Sequence, residues 1–178
     1  MQAQDATGRG KLQAQRAFEM MVERAASRKT KGKALGQQQM VQDMIAESYA
    51  DLEAARLLVL KAAWSMDEGG DHGSSSRGEI SLIKFAVPRI TLEIIDRAIQ
   101  IHGALGYTTD MPLEEMYRTS RALRIADGAD EVHKQTLAKQ LLKNAKPVAG
   151  WPSEHVPTRR AEAKRRFGKQ VEAVKGLR

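Results

Sequence analysis

Three groups of residues carry the side chains able to do chemistry in this chain. Asp127-Gly128-Ala129-Asp130-Glu131-Val132-His133 sets three carboxylates and an imidazole around a glycine. An Asp just ahead of a helix accepts hydrogen bonds from the first free amides, so on local grounds Asp127, alone or with Asp130, caps a helix. Gly128 suits a turn. Arg28-Lys29-Thr30-Lys31-Gly32-Lys33, with Gln39 beyond it, gathers positive charge. A guanidinium matches phosphate oxygens in pairs, and the same run is equally at home as a solvated basic loop. Gln100 and Gly103-Ala104 stand where a helical pattern stops, as a C-terminal glycine would make it do. His102 and His133 have no metal-ligand spacing with carboxylates or with each other, so no metal site is expected. The absence of cysteine excludes disulfides, thiolate zinc sites and a cysteine nucleophile, and suits a reducing compartment.

The elements that must position these residues are helices. Residues 1–11 are polar with two glycines and read as a flexible leader. A first helix is predicted over Leu12–Ser27, and the pattern breaks over Thr30–Gly36. A second runs from Gln37 to Met66, with Val41, Met44, Ser48, Leu52, Ala55, Val59, Ala62 and Met66 on one face. Asp67–Gly78 reads as a loop. A third helix starts near Gly78, with Ile80, Ile83, Val87, Ile90, Ile94, Ala98 and Ile101 as its stripe. Further apolar residues, among them Leu82, Phe85, Leu92, Ile95 and Ile99, predict burial on more than one side. Pro88 predicts a kink or break there, and Pro112 opens a short helix to Arg121. A last helix of the bundle covers Ala129–Lys143. Beyond it Pro147, Pro152 and Pro157 rule out a continuous helix, and Thr158–Arg178 forms a basic helix with Phe167, Val171 and Val174 on one side. No alternating strand pattern appears. The fold class is all-α, an antiparallel, up-and-down four-helix bundle over residues 12–146, with a Pro-interrupted basic tail over 147–178.

Composition narrows the function classes. Aromatics make up 4% of the 178 residues, so the core must be aliphatic. Residues 143–178 hold ten Lys or Arg against three Glu, and the remainder is charge-neutral, so a nucleic-acid role would belong to the tail alone. No apolar run is long enough to span a bilayer, and no signal-peptide stretch opens the chain. The expected location is cytoplasmic, or mitochondrial in a eukaryote.

One stretch is specific as a combination: Ala98–Lys139, AIQIHGALGYTTDMPLEEMYRTSRALRIADGADEVHKQTLAK. A Gln-Ile ends a long helix. A Gly turn, Gly-Tyr, Asp-x-Pro-Leu, Tyr-Arg, an Arg-rich stretch and an acid before Gly come next, in that order. This resembles the C-terminal signature of the acyl-CoA dehydrogenase family. The Asp-Gly-x-Asp-Glu-Val-His form is most like the branch that includes mitochondrial members fused to a phosphotransferase-like domain.

The resemblance implies an FAD-dependent oxidoreductase that desaturates acyl-CoA thioesters between the α and β carbons. It makes Asp127 the base that takes the α proton, in place of the Glu of many members and one methylene shorter. Such a proton is weakly acidic, so the carboxylate must be positioned. Gly128 would let substrate approach the backbone closely. Gln100, Gly103 and Ala104 match a segment that contacts the adenosine diphosphate half of FAD in a neighbouring subunit. Ala129 and Glu131 fall at flavin-contacting positions, where many members have Thr at the first. Arg28 and Gln39 match an Arg that reaches the pyrophosphate and a downstream Gln. The adenine-packing Phe of that motif is Lys31 here. Tyr107, Asp110, Tyr117 and Arg118 read as structural, a polar cluster whose types suit interhelical packing and hydrogen bonding.

The family's N-terminal helical domain and middle β domain are not in this sequence. The chain alone is expected to be inactive, with those domains, acyl-CoA and one or three further copies of itself as partners. Two other readings stand: a non-catalytic helical assembly domain, and a module whose basic tail (Arg159, Arg160, Lys164, Arg165, Arg166, Lys169) binds nucleic acid or an anionic membrane.

Overall fold

A computed structural model describes residues 2–68, 76–143, 145, 146 and 157–175. The chain divides into two units, 1–141 and 142–178.

The long helices of the first unit form because their apolar residues recur at helical spacing and can be buried together. They are α1 (Gln2–Ser27), α2 (Gln39–Glu68) and α3 (Arg77–His102). These pack on one another as the expected bundle, and α3 also meets α5 (Leu113–Ala122). A one-turn helix, α4 (Ala104–Tyr107), and α6 (Asp130–Lys143) complete the unit, the division at 141 falling in the last turn of α6. The core is aliphatic: Ala14, Ala17 and Met21 from α1, Leu52, Ala55 and Ala62 from α2, and Leu113 and Met116 from α5 surround the α3 stripe. In α3, Leu92 and Ile95 are buried together with Ile83, Val87, Ile90, Ile94, Ala98 and Ile101, so two sides of the helix are covered. At about 25 cal/mol per Å² this apolar burial is the main force that holds α3 in the centre.

Four details differ from the sequence reading. The helical backbone of α1 takes in residues 2–11, read from sequence as a leader. Gly10 lies against α3, where Thr91 Oγ1 donates to its carbonyl at 3.3 Å. A glycine that looks like a breaker thus sits inside a helix, buried against α3. Residues 29–34 form a small hairpin, β1 (Lys29–Thr30) with β2 (Lys33–Ala34), antiparallel. Its two turn residues, Lys31 (φ 51°) and Gly32 (φ 79°), take the left-handed conformations that a two-residue hairpin turn requires. Two-residue strands are too short to show alternation in sequence. The third difference is that α3 continues through Pro88 without a break. Pro88 removes the amide that would have bonded the Lys84 carbonyl, and burial on both sides keeps the helix together. Last, Tyr107 is 80% exposed and the Arg118 side chain 71% exposed, so neither packs between helices of this chain.

In the second unit α7 (Pro157–Lys175) is the expected basic helix, with Phe167 57% exposed. Most of the loop after α2, together with Pro147 and Trp151-Pro152, lies outside the described residues. Among the described residues no helix is long and apolar enough to cross a membrane.

Candidate functional site

The polar residues singled out from sequence fall into two clusters in the first unit. One is a corner formed by the first half of α3, the loop 123–129 and the start of α6. Arg124 wraps the Asp130 carboxylate, with Nε at 2.8 Å and Nη2 at 2.7 Å from Oδ2. The Asp130 amide donates back to the Arg124 carbonyl at 3.2 Å. This closes the loop on itself. Asp130 is buried, and its other oxygen, Oδ1, has no protein partner.

Asp127 stands at the apex of that loop with φ 54°, a left-handed backbone that costs an ordinary residue about 1–2 kcal/mol and that Asp tolerates better than most. Its carboxylate is half-exposed and meets Lys84 Nζ of α3 at 3.8 Å, rather than capping α6. The same ammonium donates to the Ala126 carbonyl at 3.4 Å. On the other side, His133 Nε2 of α6 lies 3.2 Å from the Asp127 carbonyl oxygen. Gly128 is next in the chain at φ 102°, and a Cβ there would come within 3.0 Å of His133 Nε2. Two constraints therefore require glycine at this position. Ala129 is half-buried and Glu131 exposed, at the head of α6. A cavity of about 320 Å³ adjoins the corner, lined by Arg77, Ile80, Ser81, Val132, His133 and Thr136.

The second cluster lies where α1 and α3 end. Arg28, Gln39 and Gln100 are exposed. Gly103 terminates α3 at φ 66°, and nothing lies within 4 Å of the Cβ it lacks, so its backbone is open to approach. Ala104 beside it is exposed. Between Ser27, next to Arg28, and His102, next to Gly103, opens a cavity of about 400 Å³ whose lining includes Arg16, Arg24 and Glu23. The Nε of Arg24 is itself buried and has no hydrogen-bond partner. Buried donors are normally satisfied, and two guanidiniums against one carboxylate favour an anion. His102 is a satisfied core histidine, its Nδ1 2.8 Å from the Ala98 carbonyl oxygen. Among the described residues no group of acids and histidines could hold a metal.

Three functional-looking residues were missed from the sequence. Lys84 carried a signal, a lysine on the apolar stripe between Ile80 and Val87. Arg124 and Arg24 carried none, because their partners depend on how the chain turns.

This arrangement fits the phosphate half of FAD better than its base. Arg28 and the open backbone at Gly103 suit phosphate oxygens. Lys31, exposed in the hairpin turn, offers no ring for adenine to stack on.

Comparison with known proteins bears on the family of the chain. The family model described as "Acyl-CoA dehydrogenase, C-terminal domain" matches residues 7–142. The probable acyl-CoA dehydrogenase FadE2 of Mycobacterium tuberculosis is 43% identical over 133 residues, covering 75% of this chain and 32% of that protein. Acyl-CoA dehydrogenase family member 10 of Mus musculus is 46% identical over 130 residues, 73% of this chain and 12% of that one. Among solved structures, a putative acyl-CoA dehydrogenase from Mycobacterium abscessus superposes with a TM-score of 0.72 at 38% identity, covering 76% of this chain and 33% of the other. Butyryl-CoA dehydrogenase from Megasphaera elsdenii gives a TM-score of 0.73 at 26% identity, over 79% and 36%. The chain thus spans about a third or less of the length of these relatives.

Proposed function

The chain belongs to the acyl-CoA dehydrogenase family, as its C-terminal domain, and on that premise we propose that it supplies the catalytic carboxylate and part of the cofactor site of an acyl-CoA-desaturating flavoenzyme. The observation that carries this reading is the state of Asp127. It is held in a left-handed turn between α3 and α6, half-exposed, instead of being spent on the α6 amides. A cap would have no need of that placement.

In the reaction the Asp127 carboxylate takes the proton from the acyl α carbon. The electron pair of that C–H bond forms the α,β double bond as the β hydrogen leaves as hydride. FAD, when bound, is the acceptor of that hydride. Gly128 keeps the substrate side of the turn free of a side chain. Arg28 and Gln39 beside α1 would hold the pyrophosphate, Gln100, Gly103 and Ala104 at the end of α3 would hold the adenosine diphosphate half of a neighbouring subunit's FAD, and Ala129 and Glu131 would border the flavin half. The partners are acyl-CoA, the family's N-terminal helical and β domains, and a second copy or more of this chain. The assembly role has its own support: Leu57, Leu60 and Trp64, one to two turns apart on α2, are each more than half exposed. Such a row invites a covering surface.

The test joins or co-expresses this chain with the missing domains and measures flavin reduction by acyl-CoA. Asp127→Asn keeps the shape and removes the base. Reduction should slow by about 100-fold or more, with substrate affinity changed far less. Reduction at the parent rate would return Asp127 to a structural role.

A further inference from the structure

We propose that Lys84 is the positioning residue of the Asp127 turn: its buried ammonium fixes both the backbone of residues 126–127 and the aim of the carboxylate. The inference deepens the reading of Asp127 as the base and rests on it for its functional meaning.

Three observations carry it. Lys84 is 5% exposed on the face of α3 that otherwise buries Val87, Pro88 and Thr91. Burying an ammonium costs several kcal/mol before any partner is found, and a methionine would fill the same space without that cost. A buried ion pair is therefore weak as a device for stability alone. Secondly, the partners this ammonium has among the described residues both belong to one turn: the Ala126 carbonyl at 3.4 Å and Asp127 Oδ2 at 3.8 Å. Thirdly, that turn is strained. A left-handed residue persists when its surroundings over-determine it, and here three contacts do so. Within the turn the Ala126 amide donates to the Ala122 carbonyl at 2.9 Å. From α6, His133 holds the Asp127 carbonyl. From α3, Lys84 holds the preceding carbonyl and reaches the carboxylate as well. Lys84 is the contact that ties the backbone setting to the side-chain direction. A carboxylate one methylene shorter than the commoner Glu has less reach to adjust, so its direction matters more.

The first test uses the 178-residue chain itself, labelled for NMR, and needs no cofactor. In the parent, the Asp127 intraresidue amide–α proton contact should be the strong one of a left-handed residue, and His133 should show contacts to the turn. In Lys84→Met both should weaken. Lys84→Arg should restore them. A Lys84→Met turn that keeps the parent contacts overturns the proposal. Should Lys84→Met fail to fold, Lys84→Leu replaces it. This variant also removes the donor to the Ala126 carbonyl and the charge beside Asp127, and an unchanged turn there overturns the proposal equally. In the completed enzyme, Lys84→Met should slow flavin reduction about tenfold or more while KM changes less than about threefold, with rescue by Arg. Combined with Asp127→Asn it should add no further loss. If Asp127→Asn is as fast as the parent, the base reading fails while the NMR result still decides whether Lys84 sets the turn. If Asp127→Asn is slow and Lys84→Met adds its loss independently, the base stands and the positioning role falls.

Discussion

The corner around Asp127 and the edge around Arg28 and Gly103 both hold residues proposed to act in one reaction, yet they are built in opposite ways. The corner is closed on itself. Arg124 is spent on Asp130, Lys84 and His133 on the Asp127 turn. At the edge, Arg28, Gln39 and Gln100 are exposed, and Arg24, which lines the cavity, has its Nε buried without a partner. A group that moves a proton must be aimed before substrate arrives, so its neighbours come from the same chain. Groups that hold a cofactor's anionic half can remain open until the assembly brings it. The difference teaches that stability and binding should separate between the two regions.

Two arginines break or sharpen that comparison, and Arg124 should show the larger effect on stability. Arg124→Ala leaves the buried Asp130 carboxylate without its partner and should cost about 2–4 kcal/mol in chemical denaturation. A loss under about 0.5 kcal/mol, the size of a surface change, would mean that the corner is not closed as described. Gly128→Ala comes next. A positive φ and the approach of His133 should together cost about 1–3 kcal/mol, read from the same denaturation curves; an unchanged midpoint would show that the turn relaxes freely. Arg28→Ala, in contrast, should shift stability by no more than about 0.5 kcal/mol. In the completed assembly it should weaken retention of FAD by roughly tenfold, as loss of a charge-assisted phosphate contact would. Equal retention by the variant would remove Arg28 from the cofactor site.

The smallest effect concerns neither region but α7. Arg165, and then Arg166, hold the Glu162 carboxyl below the usual carboxylate range. A depressed carboxyl supports the fold above its ordinary range and loses that support as pH falls through its lowered value. These side chains are on the solvent side, so the helix should lose only a little ellipticity on acidification. Glu162→Gln should abolish that pH dependence, and an identical acid titration in the variant would show that the pair contributes nothing.

Local pattern was enough for the helices, and for a physical reason. Apolar residues at three- and four-residue steps commit α2 and α3 to the faces they bury, so Leu52, Ala55, Ile83, Val87 and Ile94 were legible as core. Gly103 as a helix stop and Pro112 as a helix start follow from the backbone limits of those two residues alone. The motif around Asp127 was legible too, as a pattern of residue types. The setting of that residue was not. Whether Asp127 caps α6 or faces Lys84, far back along the chain, depends on where α3 lies when the loop closes. Gly10 lies within α1, where Thr91 of α3 meets its carbonyl, a contact no local pattern could show. Arg124 found Asp130 because the loop turns back. Periodicity fixes which face of an element is buried. It says nothing of which distant residue will stand opposite, and here that opposition sets Lys84 against the Asp127 turn.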